Sequence, residues 1–467
     1  MGKKSKRQPE SQSFAHPTIY NKTIIKIVDE LWSKTHGNPP PSSVAAQLEE
    51  YEAITERVNV LIEKQGPPLL AHPPRQEGIA AFERWLGENG AEHSKVELTQ
   101  FPGIGYGLKA KVELEEAEKV MTIPDKLMMT TETAAQAELR EFILNDRVLQ
   151  QLPNVVLSLH LLMEACNQDS FWKPYIDVLP SSFTTPLYFT RDDLLQLQSS
   201  PALAESLAQK RNILKLYTHL HRLIRSQDNE APSALCANGF FYLDFIWAVS
   251  CVMSRQNQIP SSSGKDFDIE NHSCICYAGR KTGGGTEFTI FYGARPNSDL
   301  LLHQGFVYPE NSHDFLKIKL GLSSGEEPIT KTLRSQLLVK VGQPISGQYY
   351  ILKKENPFGP ELMMFGRLFT ADYAQLQEYA TLDDTALRSK LSAESLTKED
   401  LKLLDFLGKR CQLLLHSYKT TLEDAMMLLK GELPACAREA VKLRLCEKQI
   451  LQCAAQYALT AQQLCAN

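Results

Sequence analysis

Thr289-Ile290-Phe291-Tyr292-Gly293-Ala294-Arg295-Pro296-Asn297, running on through Leu300-Leu301-Leu302-His303-Gln304-Gly305-Phe306, is the stretch on which the reading of this chain turns. Apolar residues lead up to a glycine, which predicts a short buried strand ending near Tyr292. Leu300, Leu301 and Leu302 then fall in a helical turn that Gly305 stops. A tyrosine at the end of such a strand, followed by glycine and a basic residue, can hold its hydroxyl inside a pocket. The same pattern also describes a core strand with a hydrogen-bonded tyrosine. The rest of the chain decides between the two.

The 467 residues, 43% hydrophobic and 22% charged, fit two to four globular domains with sizeable cores. A net charge of -5 excludes a basic nucleic-acid footprint for the chain as a whole. The run Lys3-Lys4-Ser5-Lys6-Arg7 is expected to be a solvated tail, with nuclear import as the alternative. No run reaches the ~18 apolar residues of a membrane span, and the start lacks the apolar stretch of a signal peptide. Ten cysteines are scattered, and Cys274-x-Cys276 has no second cluster nearby to complete a zinc site. The histidines form no metalloprotease pattern, so no metal is expected. Reduced thiols imply a cytoplasmic chain, with the nucleus as a second location.

The order along the chain is helical, β, helical, β, helical. Residues 1–17 read as a disordered basic tail and 18–93 as helices, with Ile24, Ile27, Val28 and Leu31 on one apolar stripe. From Lys95 the period shifts to two, and residues 95–130 read as a small β-region. Residues 134–256 return to helical spacing, with stripes at Val156, Leu159, Leu162, Met163 and at Leu194, Leu195, Leu197, Leu203. Extended structure resumes at 274–293, and residues 328–467 are helical, with a box-like N-cap at Thr397 and Asp400. One sheet requires the two β-regions to meet in space.

Three further stretches could line a site. Gly103-Ile104-Gly105-Tyr106-Gly107-Leu108 lacks dinucleotide-loop spacing; it fits a hairpin turn, or a glycine turn that lets backbone approach an adenosine-like ligand. Ser254-Arg255-Gln256-Asn257-Gln258-Ile259-Pro260 ends an apolar helix, where its amides either cap the helix or line a polar pocket. Gly283-Gly284-Gly285 lacks the Lys-Ser/Thr pair of a phosphate loop and reads as a flexible turn.

Taken together with Phe171-Trp172-Lys173-Pro174-Tyr175-Ile176 and Leu179-Pro180, these stretches resemble the SET-domain protein methyltransferases that carry a Rubisco-methyltransferase-type substrate-binding domain. The likeness is greatest to the branch that methylates a histidine of actin. The resemblance implies an α+β fold: a small β-rich SET core over 94–327, a helical insert at 134–256, and an all-helical C-terminal substrate-binding domain at 328–467. It implies S-adenosyl-L-methionine as cofactor, held by Arg75, Ile104, Gly105, Tyr106, Arg255, Gln304, Gly305 and Phe306. Tyr292 and Asn257 would be catalytic, and Asn257, Ile259, Ile290 and Arg295 would contact the substrate. Actin is the implied partner, of a monomeric chain with no nucleic-acid or membrane partner. The alternatives are a protein-lysine methyltransferase and a non-catalytic actin-binding relative.

Three departures from the family pattern stand out. Ile104 occupies a usually acidic position, and Gln304 a position that is usually serine. The third is larger: the apolar strand ending in Asn-His that such enzymes carry before F-Y-G is expected to be absent. The segment 261–288 is shortened by roughly twenty residues on this reading, and Asn271-His272 is a coincidental match. Weak cofactor binding is the consequence expected for this chain.

Overall fold

The computed structural model describes residues 18–136, 138–226, 232–233, 235, 239–257, 267–268 and 272–466. It divides into two compact units, one of residues up to Ser182 with Arg211–Ile290, the other of Phe183–Lys210 with Phe291–Asn467.

In the first unit, helix Lys22–His36 starts where the Asn21 side chain accepts the N–H groups of Thr23 and Ile24. It buries Ile24, Ile27, Val28 and Leu31, the stripe its spacing predicts. The helix Arg75–Glu88 buries Trp85 against Leu127 and Trp172, which fixes the F-W-K-P stretch.

The two β-regions do meet. Strand β1 (Val96–Phe101) pairs antiparallel with β2 (Gly105–Ala110). Strand β3 (Lys119–Pro124) follows, then β4 (Phe267–Asp268), β5 (Ser273–Tyr277) and β6 (Glu287–Phe288). They form two three-stranded sheets ordered β1-β2-β6 and β3-β5-β4. Leu108 lies opposite Phe288, and Thr122 opposite Ile275. Val96, Ala110, Leu114, Val120, Ala278 and Phe288 make the core of this part. Gly103–Leu108 is therefore a hairpin, with positive φ at Gly103 (74°) and Gly105 (98°) where the chain reverses.

One expectation fails here. Thr289–Tyr292 is no buried strand: the ladder stops at Phe288, while Ile290 is 52% and Phe291 74% exposed. β2 pairs with β6 through Leu108 and Lys109, opposite Phe288 and Glu287, and among the described residues no ladder pairing continues beyond Phe288.

In the second unit, β7 (Phe315–Gly321) and β8 (Ser346–Leu352) form a two-stranded ribbon. Its Leu316, Ile318, Tyr349 and Ile351 pack on the helices Pro360–Thr370, Leu401–Ser417 and Ala435–Ala466. Thr397 and Asp400 make the capping box that their spacing predicts. The region beyond residue 328 departs from helix alone at β8, where Gln348-Tyr349-Tyr350-Ile351 favours a half-buried pleated surface.

Candidate functional site

Of the expected site residues of the first unit, Tyr106 and Arg255 lie close to Arg75. The Pro-rich segment before it is pinned by the buried carboxylate of Asp244, which accepts the N–H groups of Leu69 (3.0 Å) and Leu70 (3.4 Å). Arg75 then opens its helix, donates Nε to the Val178 carbonyl at 2.7 Å, and lays its guanidinium 5.1 Å from the centre of the Tyr106 ring. Burial lowers the Arg75 pKa, and the charge of Arg255 lowers it further. Arg75 makes no ion pair among the described residues, and the second guanidinium that bears on it is that of Arg255.

Arg255 closes the helix Tyr242–Arg255 and donates Nη1 to the Ser254 hydroxyl at 2.8 Å. That helix is tied to the stretch around Leu179-Pro180 by the Trp247 indole N–H, which donates to the Pro180 carbonyl at 2.8 Å. Arg255 also lines a small cavity of about 90 Å³ with Tyr175, Cys251 and Gln256. Asn257 is exposed and its amide donates to the Arg255 carbonyl at 3.2 Å, so it closes its own helix end. Gly105 has open space where a Cβ would project, and Ile104 is 69% exposed. Ile290 is exposed at the end of this unit, and Ile259 lies outside the described residues, as does Asn271. His272 is exposed, with its ring Nδ1 3.5 Å from the Asp125 carboxylate.

In the second unit, Tyr292 is 40% exposed and meets the Phe306 ring edge-on, with centroids 5.5 Å apart. Gly305 ends the helix Asn297–Gln304 in the left-handed region, at φ 82°. A Cβ there would stand 2.9 Å from both the Thr184 hydroxyl and the Thr185 nitrogen, so only glycine fits. The Gln304 Oε1 is buried without a donor among the described residues. Arg295 is exposed, and its carbonyl accepts the Asn311 amide at 2.8 Å.

The anchor of this half is a pair to which the sequence reading gave no role. Buried Asn297 donates its backbone N–H (2.8 Å) and its amide (2.7 Å) to the two oxygens of Asp314, and accepts the Tyr308 N–H at 3.0 Å. Asp314 also takes the Phe315 N–H at 3.0 Å, so the F-Y-G-A-R-P-N stretch and residues 306–308 are fastened to the start of β7. Burial raises the Asp314 pKa, and the bonds from Asn297 pull it back. The available signal was a polar pair, Asn297 and Asp314, inside otherwise apolar motifs.

An actin-histidine N-methyltransferase of Papio anubis is 33% identical to this chain over 98% of it and 81% of the relative's length. The chain belongs to the actin-histidine N-methyltransferase family. The human member matches at the same identity and coverage, and the Gallus gallus member at 32% over 99% of the chain and 82% of its own length. Within the family's architecture, residues 330–451 match the Rubisco LSMT substrate-binding family. Solved structures share the fold. Rubisco LSMT bound to AdoMet superposes with a TM-score of 0.64 at 20% identity, over 83% of this chain and 92% of that one. The SET domain of LSMT bound to lysine and AdoHcy gives 0.65 at 19% identity, over 83% and 92%. The fold is that of the SET-domain methyltransferases. The aligned span with the Papio anubis member has 488 positions and this chain has 467 residues, so at least 21 positions (488 less 467) face no residue here.

Proposed function

We propose that this chain is an S-adenosylmethionine-dependent protein methyltransferase whose target is a histidine of actin. The observation that carries the reading is the 33% identity to actin-histidine N-methyltransferases across 98% of the chain. S-adenosylmethionine would supply a sulfonium-bound methyl group, which the target nitrogen would take in line as the carbon–sulfur bond breaks and the neutral thioether leaves. The protein must supply alignment, exclusion of water and an uncharged nucleophile. A histidine, with a reference pKa of about 6.5, is mostly neutral at pH 7, whereas a lysine must first lose a proton. A histidine target therefore needs control of its tautomer more than a base.

In this reading Arg75, Tyr106 and Arg255, with the backbone of Ile104 and Gly105, hold the cofactor, and Gln304, Gly305 and Phe306 contribute a second group of contacts. The mutually repelling Arg75 and Arg255 suit a carboxylate. Asn257 orients the target imidazole through its amide, Tyr292 steadies the methyl donor through its hydroxyl, and Ile259, Ile290 and Arg295 line the peptide path. Cytoplasmic location, with nuclear entry through Lys3-Lys4-Ser5-Lys6-Arg7, belongs to the same proposal.

A second reading keeps actin binding and drops methyl transfer. It is favoured by the 21 or more family positions without a counterpart in this chain and by the polar character of 261–288. Calorimetric titration with S-adenosylmethionine separates the two: binding supports the enzyme, and its absence beside retained actin binding supports the second reading. Mass spectrometry of actin after incubation with cofactor then separates a histidine target from a lysine.

A further inference from the structure

The second unit contains a cavity of about 450 Å³ that the proposed chemistry does not use. Its walls are apolar, with Leu316 and Ile318 from β7, Leu414 from the helix Leu401–Ser417 and Leu451 from the helix Ala435–Ala466. The charged residues on its lining are Lys317, Lys319 and Arg410, and no carboxylate lines it. On a chain of net charge -5 this is a local reversal of sign.

The three cations differ in what they already hold. Lys317 is engaged, with Nζ 3.0 Å from Glu205 and 2.7 Å from Asp299. The Arg410 side chain makes no ion pair or hydrogen bond among the described residues, and its Nε is buried without an acceptor. A buried charged donor left without an acceptor is costly, and native structures rarely tolerate one. Lys319 is exposed, so the cavity opens to solvent at its rim. Ser199, also on the lining, is held in the left-handed region at φ 74°, an unusual conformation for a non-glycine residue.

We propose that this cavity is a docking site for an acidic side chain with an aliphatic neighbour, presented by actin at a place other than the methylated residue. The carboxylate would meet Arg410 and Lys319, and the aliphatic group would cover Leu414 and Leu451. The volume accommodates about one such pair of side chains. Six of the lining positions, Gly347, Gln348, Arg410, Leu414, Tyr418 and Leu451, fall within the residues that match the substrate-binding family. The inference rests on actin being the substrate.

The test measures binding of the full chain to two probes, monomeric actin and a short actin peptide spanning the target histidine. Arg410→Glu and the exposed-site variant Lys319→Glu are compared with the unaltered chain, with thermal unfolding as a check on folding. Both variants are expected to bind monomeric actin at least tenfold more weakly while binding the peptide as before. Unchanged affinity for monomeric actin in a folded variant, or equal loss for both probes, overturns the docking site. If the unaltered chain binds neither probe, the actin reading fails and the docking site fails with it.

Discussion

Asn297 commits three polar groups to its neighbours from a fully buried position, and Asp314 commits both carboxylate oxygens. Asn297→Ala would leave the Asp314 carboxylate short of its amide donor and the Tyr308 N–H without an acceptor. At roughly 1–3 kcal/mol for each buried group left unsatisfied, the loss of unfolding free energy is predicted near 3 kcal/mol, read from the urea midpoint. Glu447 gives a different signature. Its carboxyl accepts the Ser200 hydroxyl at 2.8 Å and the Tyr418 hydroxyl at 3.0 Å, and burial pushes its pKa from 4.5 up to about 8. The folded chain thus keeps a proton that the unfolded chain releases above about pH 4.5. The stability from this group is complete below that pH and is lost as pH rises toward 8. Glu447→Gln is predicted to flatten the fall in stability between pH 5 and 8, measured by thermal unfolding across that range. A fall as steep as in the unaltered chain would assign the pH dependence to another group.

Elements defined by their own neighbours in sequence were legible. The stripe of Ile24, Ile27, Val28 and Leu31, the β1–β2 hairpin and the Thr397–Asp400 box all depend on residues within a few positions of one another. The limits of β6 were not legible, because they depend on pairing with β2 some 180 residues away, and that pairing ends at Phe288. Burial of Asp314 was hidden for the same reason: an aspartate in N-S-H-D reads as surface until Asn297 is brought against it. At the candidate site, family likeness singled out Arg75 and Tyr106, which the fold places side by side, whereas Asp244, which pins the segment before Arg75, sits on a helix that reads as core. Asp400 shows how a local cap also acts at long range: besides the Thr397 N–H at 2.9 Å it takes the Arg367 Nε at 2.7 Å, with both side chains buried. Removing one partner of a buried pair strands the other, so Asp400→Ala is predicted to cost about 3–5 kcal/mol in denaturant unfolding. A loss below 1 kcal/mol would mean that water already screens the pair.

For the molecule as a whole, membership of the actin-histidine N-methyltransferase family comes with at least 21 aligned positions of the Papio anubis member that face no residue here. The core of Val96, Ala110, Leu114, Val120, Ala278 and Phe288 closes around a β6 of only two residues. Arg75 and Arg255 are present, and on the proposed reading they would hold the cofactor's carboxylate. If the Asn-His strand is missing from 261–288, as its sequence leads one to expect, the chain is predicted to bind actin but to retain the cofactor poorly. The decisive comparison is methyl transfer to actin from isotope-labelled S-adenosylmethionine by two chains side by side. One is the chain as it stands, and the other carries an apolar strand ending in Asn-His inserted between Lys265 and Phe267. The predicted result is label on a histidine of actin from the restored chain, at least tenfold above a near-background signal from the unrestored one. Comparable turnover from the unrestored chain, or label on lysine, would contradict it.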